Sequence, residues 1–145
     1  MIFVDADACP VKEEVVRVAE RHNVQVVMVA DGGLRPSRHD LVRNHIVPQG
    51  ADAADDWIAE NIAVSDICIT TDIPLAKRCL ENGAAAIRPN GKLFDEANIG
   101  MALAMRDLKQ HIRESQQTQT YNAGFTKADR SNFLQALDRL IQQLK

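Results

Sequence analysis

Aspartates follow two short apolar runs of this chain. Asp5 and Asp7 follow the run at residues 2–4, and Asp72 follows the run inside "ICITTDIPLA". A buried strand does not tolerate a lone charge, so we expect these carboxylates at the strand exits. Because ligands bind outside the carboxyl ends of parallel strands, near a switch in strand order, acids placed there can share one site.

A third group of aspartates opens a predicted helix in "GADAADDWIAENI". Asp52, Asp55 and Asp56 have the i, i+3 and i+4 spacing that places side chains on one helical face. Asp52 can also serve as an N-cap, and the helix dipole favours acids in a first turn. Both interpretations of this group stay open at this point.

The chemistry expected of such a cluster is that of a hard divalent cation. Carboxylates that lie close together cannot all ionise unless some bind protons or a cation neutralises them. Oxygen ligands without histidine or thiolate favour Mg²⁺ or Mn²⁺, which bind phosphate oxygens and activate water. The candidate metal ligands are Asp5, Asp7, Asp52, Asp55 and Asp72.

The elements that must position these acids alternate between strands and helices. The hydrophobic pattern predicts strands at residues 2–4, 24–29, 46–47, 66–70 and 84–87, and helices at 10–22, 40–44, 52–62, 74–82 and 95–114. Such alternation indicates an α/β fold with a mainly parallel sheet of about five strands. If the first and fourth strands are neighbours, Asp5 and Asp72 meet at the same edge.

A last helix, at residues 126–145, follows a polar connection at 115–125, and residues 1–145 are interpreted as a single domain. Thr126 and Asp129 have the spacing of a capping box. The helix carries one apolar stripe, which predicts either a core contact or the face of a homodimer. Its members are Phe133, Leu134, Leu137, Leu140, Ile141 and Leu144.

Composition narrows the class of protein. The chain has 145 residues, 46% hydrophobic, with 17 Lys plus Arg against 20 Asp plus Glu, so it lacks the global basic field of many nucleic-acid binders. Only 4% of residues are aromatic, which argues against a broad base-stacking platform. We expect a cytoplasmic protein with no membrane partner for three reasons. The three cysteines lack the spacing of a metal or disulfide site, no apolar run is long enough to cross a bilayer, and the start does not resemble a signal peptide.

Several basic side chains could bind a phosphate substrate. Arg35 lies in the glycine-containing loop "GGLRPSRHDLVR", Lys12 lies early in the first helix, and Lys77 follows Asp72 by more than one turn. Arginine forks on a flexible backbone suit phosphate contacts. Cys9, before Pro10 at a helix start, is either an activated thiolate or a buried, inert thiol.

Four segments together resemble a known bacterial family. "FVDADACPVK", "GADAADDWIAENI", "TTDIPLAKRCLENGA" and "GFTKADRSNFLQALDRLI" are similar to the YaiI/YqxD family, a largely uncharacterised group, over almost the whole chain. That family resembles PIN-like domains, which are Mg²⁺- or Mn²⁺-dependent nucleases. The resemblance implies a three-layer PIN-like fold and a nuclease acting on RNA or DNA.

The PIN-like resemblance also implies residue roles. Asp5 ends the first strand, Asp55 precedes the "IA" pair in "DDWIA", and Asp72 completes "TTD", so these three are the implied catalytic residues. PIN domains also carry a glutamate in an early helix, which this chain does not clearly match. Either Asp31 or Asp40 substitutes for it, or Asp7 and Asp52 complete the site.

Two other functions remain open. "FVDADAC" also resembles the opening of haloacid-dehalogenase-type phosphatases, in which Asp5 would be the nucleophile and Asp7 the acid/base, and "ICITTD" resembles their threonine motif. The acidic pair Asp55–Asp56 precedes that threonine motif, whereas those phosphatases carry their acids after it. The other alternative is a non-catalytic RNA- or protein-binding module.

Overall fold

Five parallel strands form one sheet with the order β3-β2-β1-β4-β5. The computed structural model describes residues 1–6, 9–31, 39–48, 53–100 and 126–144. The strands are β1 (Ile2–Asp5), β2 (Val26–Ala30), β3 (Val42–Ile46), β4 (Ile67–Ile69) and β5 (Ala85–Ile87). The helices are α1 (Lys12–His22), α2 (Ala53–Asn61), α3 (Ile73–Glu81) and the C-terminal helix (Lys127–Leu144). The prediction of an α/β fold with about five parallel strands is confirmed.

The sheet separates two hydrophobic cores. On one face, α1 and the C-terminal helix cover alternate strand residues such as Ile2 and Val4. On the other face, α2 and α3 cover Phe3, Val29 and Cys68. Successive strand residues point to opposite faces, so a sheet buried on both sides needs the nearly continuous apolar runs found in β1, β2 and β4. The result is the expected three-layer architecture.

One predicted element is wrong. Residues 40–44 were expected to form a short helix and residues 46–47 a strand, but β3 spans Val42–Ile46. The polar sequence "VRNHI" has no strand pattern, and Ile46 is 52% exposed. Its partner β2 is buried along its whole length, so its outer backbone groups need a ladder partner. The pairing of Val26 with Val42 through Ala30 with Ile46 supplies it.

The C-terminal helix begins with the predicted capping box. The amide of Asp129 donates to Thr126 Oγ1 at 3.1 Å, and the amide of Thr126 donates to Asp129 Oδ2 at 3.0 Å. The apolar stripe is core, since Phe133 and Leu137 are fully buried. The predicted connection at 115–125 and the predicted helix beyond residue 100 lie outside the described residues, while residues 96–100 are helical.

Polar contacts at both ends of α1 fix the C-terminal helix. Arg130 Nη1 donates to Glu14 Oε1 and to the carbonyl of Pro10, each at 3.0 Å. Further along the helix, His22 Nε2 and Asp138 Oδ1 lie 2.6 Å apart.

Within the part of the chain that the structure describes, no helix has the length and apolarity to cross a bilayer.

Candidate active site

The acids of interest lie at the carboxyl ends of β1 and β4. These two strands are neighbours, with Val4 opposite Ile69. From β1 the chain builds outwards through β2 to β3 on one side, and through β4 to β5 on the other. The strand order therefore reverses between β1 and β4, which is the position where open α/β sheets bind ligands. The condition under which Asp5 and Asp72 share one edge, that strands one and four are neighbours, is therefore met.

Thr70 joins the two strand ends. Its Oγ1 donates to Asp5 Oδ2 at 3.0 Å and accepts from the amide of Asp72 at 2.9 Å. The side chain is 2% exposed, and Thr70 is the buried polar residue of the described chain. A buried hydroxyl needs both a donor and an acceptor, and here both come from the acidic segments. Asp5 and the Asp72 turn are thus held around one hydroxyl.

Asp72 also has a structural role. It is the N-cap of α3, and its Oδ1 accepts from the amide of Leu75 at 2.8 Å. Pro74 occupies the first turn of the helix, where its missing N–H costs nothing. One carboxylate oxygen of Asp72 is therefore occupied by capping, and this local role is sufficient to place an acid behind β4.

The acids of α2 diverge. Asp56 is exposed and accepts from Arg78 Nη1 at 2.7 Å. Asp55 is half-buried and lies near the Cys68 thiol. A hydrogen bond with Cys79 and burial raise the pKa of Cys68, and the carboxylates of Asp5 and Asp55 raise it further. The charges of Asp5 and Asp55 thus both act on the Cys68 thiol, and Asp55 also acts on Arg78, whereas Asp56 forms the ion pair with Arg78.

The donor set fits a hard cation in kind, and the described residues supply part of it. Within the described ranges, no three histidine, cysteine, aspartate or glutamate side chains form a group that could hold a metal ion. Asp7 and Asp52, two of the five predicted ligands, lie outside those ranges. The structure therefore brings Asp5 and the Asp72 turn together and places Asp55 near the same core.

The predicted substrate-binding residues Lys12 and Lys77 lie on different helices. Lys12 begins α1 and is close enough to the Cys9 sulfur to favour its thiolate. Lys77 is exposed on α3 and lines a surface pocket of about 230 Å³ with Leu80, Glu81, Glu96 and Ile99. None of these lining residues is a candidate acid. Arg35 lies outside the described residues.

The surroundings of Cys9 favour the protonated thiol. Burial raises its pKa to about 11, and this effect outweighs the backbone hydrogen bond with Val11 and the charge of Lys12. Because the thiolate is the nucleophilic form, this direction favours the buried thiol over the activated one. Helix α1 begins at Lys12, two residues later than the predicted start at Pro10, so Cys9 does not stand at the helix N-terminus.

Sequence reasoning did not assign two residues at this edge. Thr70 enters the sequence predictions only within the "TTD" turn and the phosphatase-like threonine motif, and no motif marks Arg88, the residue that follows β5. The signal for both is that they follow strands, because the carboxyl ends of all parallel strands meet at one edge.

An aromatic pair lies on the other side of Asp5. The ring of His45 stacks on Trp57 of α2 with centroids 3.9 Å apart, and Trp57 lies 6.0 Å from Phe3. His45 pairs in register with Val29, and Val29 pairs with Asp5. The pair therefore shares the edge and the sheet face of Asp5, although the low aromatic content gave no sign of it.

Comparison with known sequences places the whole chain in one group. The family described as "Uncharacterized BCR, YaiI/YqxD family" matches residues 3–143. A UPF0178 protein of Rhizobium meliloti is 58% identical over 145 residues, which cover all of this chain and 99% of the relative. A UPF0178 protein of Gluconobacter oxydans is 50% identical over 144 residues, covering 99% and 82% of the two chains. No solved structure matches the chain significantly.

Proposed function

This chain belongs to the YaiI/YqxD family, and we propose that it is a Mg²⁺- or Mn²⁺-dependent phosphodiesterase that cleaves RNA or DNA. The observation that carries the proposal is the Thr70 hydroxyl, which binds the carboxylate of Asp5 and the backbone of Asp72 at the switch point of the sheet. An arrangement that holds acids from two strand ends around one hydroxyl suits a site that concentrates negative charge.

The proposal divides the acids into direct ligands of the cation and residues that assist them. Asp5, Asp55 and Asp72 hold the cation, and Asp7 and Asp52 assist them. A Mg²⁺ or Mn²⁺ ion held there would supply an activated water and would stabilise the charge that develops on phosphorus. Thr70 orients Asp5 by donating to Oδ2. The cap bond to Leu75 fixes the Asp72 carboxylate in the same way.

The test is a cleavage screen with Mn²⁺ against single- and double-stranded RNA and DNA. Asp5→Asn, Asp55→Asn and Asp72→Asn are each expected to reduce the rate by at least about 100-fold, because loss of one positioned charge costs several kcal/mol of transition-state stabilisation. Asn is as good an N-cap as Asp, so Asp72→Asn keeps the start of α3. Asp56→Asn is the matched control, since Asp56 is adjacent to Asp55 but binds Arg78 at the surface.

Two results would contradict the nuclease proposal. One is the absence of Mn²⁺-dependent cleavage of all four substrates by the unmodified protein. The other is equal activity of Asp55→Asn and Asp56→Asn, because the proposal gives the two neighbours different roles. A Mn²⁺ titration by calorimetry supplies a second readout, in which Asp5→Asn is expected to weaken binding and Asp56→Asn is not. Binding of nucleic acid without cleavage would favour the binding-module alternative.

A second candidate is a phosphatase in which Asp5 is the nucleophile. The position of Asp5 favours it, because Asp5 ends β1 at the switch point of the sheet, where open α/β sheets bind ligands. In that reaction Asp5 would attack phosphorus, Asp7 as the acid would protonate the leaving group, and water would then hydrolyse the phosphoaspartate with Asp7 accepting the proton. Acid quenching with a radiolabelled aryl phosphate distinguishes the two candidates, since a phosphoenzyme that is lost in Asp5→Asn is expected of the phosphatase alone.

A further inference from the structure

Arg88 lies at the same edge of the sheet as the candidate acids. Residue Ile87 ends β5 and pairs with Ile69 of β4, and the amide of Thr70 donates to the carbonyl of Ile87 at 3.2 Å. Arg88, the next residue, therefore stands beside Thr70. Because neighbouring strands are about 4.8 Å apart, Arg88 is one strand from Thr70 and two strands, about 10 Å, from Asp5.

Arg88 also shares a sheet face with the acids. Ala86 belongs to the core under α2 and α3, and Ile87 belongs to the opposite core. Side chains alternate along a strand, so Arg88 points to the face of Ala86. Its guanidinium carbon lies 4.2 Å from the ring centroid of Phe94, which is 4% exposed and belongs to that same core.

The backbone around Arg88 is fixed by a tight turn. Its carbonyl accepts from Gly91 and its amide donates to Lys92, both at 2.9 Å. Gly91 has a φ of 92°, and a Cβ at this position would lie 2.7 Å from the carbonyl oxygen of Asn132. The C-terminal helix therefore packs directly against the turn, and Arg88 starts from a constrained backbone.

The charge of Arg88 has no acidic partner among the described side chains. Arg21, Arg78 and Arg130 each lie within 4 Å of a carboxylate, whereas the contact found for the half-buried Arg88 side chain is the ring of Phe94. An aromatic ring that packs on a guanidinium restrains the plane of the guanidinium. The N–H donors lie along the edge of the guanidinium, where they can bind a planar anion. A half-buried arginine held in this way, at the edge of the sheet that carries Asp5 and Thr70, is suited to an anionic ligand.

We propose that Arg88 binds a phosphate of the nucleic-acid substrate that flanks the phosphate at the acids. This inference rests on the proposed phosphodiesterase function, which supplies the identity of the ligand. Strand β4 lies between Arg88 and Asp5, and Phe94 restrains the side chain, so the guanidinium contacts a neighbouring phosphate and not the one that is cleaved. Arg88 is thus a substrate-binding residue that orients the strand, with Phe94 as its positioning residue.

The experiment measures binding of a fluorescein-labelled oligothymidylate to the full-length protein by anisotropy, over a series of salt concentrations without metal. Arg88→Gln is expected to weaken binding about tenfold at low salt and to reduce the slope of log K against log salt by about 0.7, the value for one contact to a single strand. Arg139→Gln is the matched control, because Arg139 is exposed on the C-terminal helix and its loss changes the net charge equally.

Two further variants separate a binding role from a structural one. Arg88→Lys keeps the charge and is expected to restore most of the salt slope but less of the affinity, since lysine lacks the planar fork. Phe94→Leu keeps Arg88 but removes its ring, and is expected to weaken binding while leaving the slope nearly unchanged. Thermal unfolding of each variant shows whether the fold is retained.

Equal binding by Arg88→Gln and Arg139→Gln would overturn the inference, as would an unmodified protein that does not bind the oligonucleotide at 50 mM salt or below. Hydrolysis of bis(4-nitrophenyl) phosphate with Mn²⁺ provides an independent readout. This substrate has one phosphate, so it tests the acids without the flanking contact: Asp5→Asn is expected to abolish its hydrolysis, and the exposed control Arg139→Gln to leave it unchanged. If no hydrolysis occurs but the salt slope depends on Arg88, the phosphodiesterase fails and the phosphate site stands.

Discussion

Replacing Thr70 with valine tests the contact on which the candidate site depends. Valine has the same shape but no hydroxyl, so Thr70→Val removes the donor to Asp5 and the acceptor for the Asp72 amide without opening a cavity. Thr70→Ser is the complementary change, because it keeps the hydroxyl and removes a methyl group. The two variants separate the polar contribution of this side chain from its packing contribution.

The magnitude follows from the burial and the two bonds. At 2% exposure, water cannot replace the hydroxyl at its own position. The bonds of 3.0 and 2.9 Å have good geometry, and a buried partner left without a bond costs about 1–3 kcal/mol. Asp5 and Asp72 are only half-buried and recover some hydration, so we expect Thr70→Val to lower the free energy of unfolding by about 2–3 kcal/mol. Thr70→Ser is expected to cost about 1 kcal/mol for one lost methyl group.

Urea denaturation measures both variants. With a slope of about 1–3 kcal/mol per molar urea, the loss in Thr70→Val corresponds to a midpoint about 1 M lower. A double-mutant cycle with Asp5→Ala is expected to give about 1 kcal/mol of coupling, since neighbouring groups do not act additively. The same cycle with Asp56→Ala is expected to give none. Thr70→Val as stable as Thr70→Ser, or a coupling to Asp5 no larger than that to Asp56, would refute the assigned contact.

Two other predictions concern the scaffold of the site. Gly91→Ala is expected to destabilise the fold by about 2 kcal/mol or more in urea, because its Cβ would meet the Asn132 backbone and its φ is 92°. Gly100→Ala has no atom within 4 Å to meet and is expected to be neutral or slightly stabilising; equal losses in the two variants would contradict this reasoning. Asp138→Asn is expected to lower the urea midpoint at pH 7, since a hydrogen bond from His22 holds the pKa of this carboxyl below its usual range. A carboxyl whose pKa is lowered by folding stabilises the fold at pH values above its unfolded pKa of about 3.9. This stabilisation is lost as the pH falls through the folded pKa. The difference between Asp138→Asn and the unmodified protein should therefore shrink below about pH 4, and a difference that stays constant from pH 7 to pH 3 would count against the contact.

Local patterns predicted most of the elements. Apolar runs of β1, β2 and β4 give strands on their own, because a strand buried on both faces needs apolar residues throughout. The capping box at Thr126 and Asp129, and the glycine with positive φ at position 83 behind α3, also depend on near neighbours in the chain. Strand β3 escaped prediction because its residues carry no such pattern, and the unmet backbone groups of β2 determine its conformation.

The sequence by itself determined that acids follow two apolar strands and that the strands run parallel, since both statements depend on residue order and short-range periodicity. Only the tertiary structure decided which strand ends are adjacent, that Thr70 joins Asp5 to the Asp72 turn, and that Asp56 turns away to Arg78. It also placed Arg88 next to Thr70 at the carboxyl ends of the strands. The physical reason is that these contacts join residues 65 and 22 positions apart, and strand order and register bring them together, which no local spacing encodes.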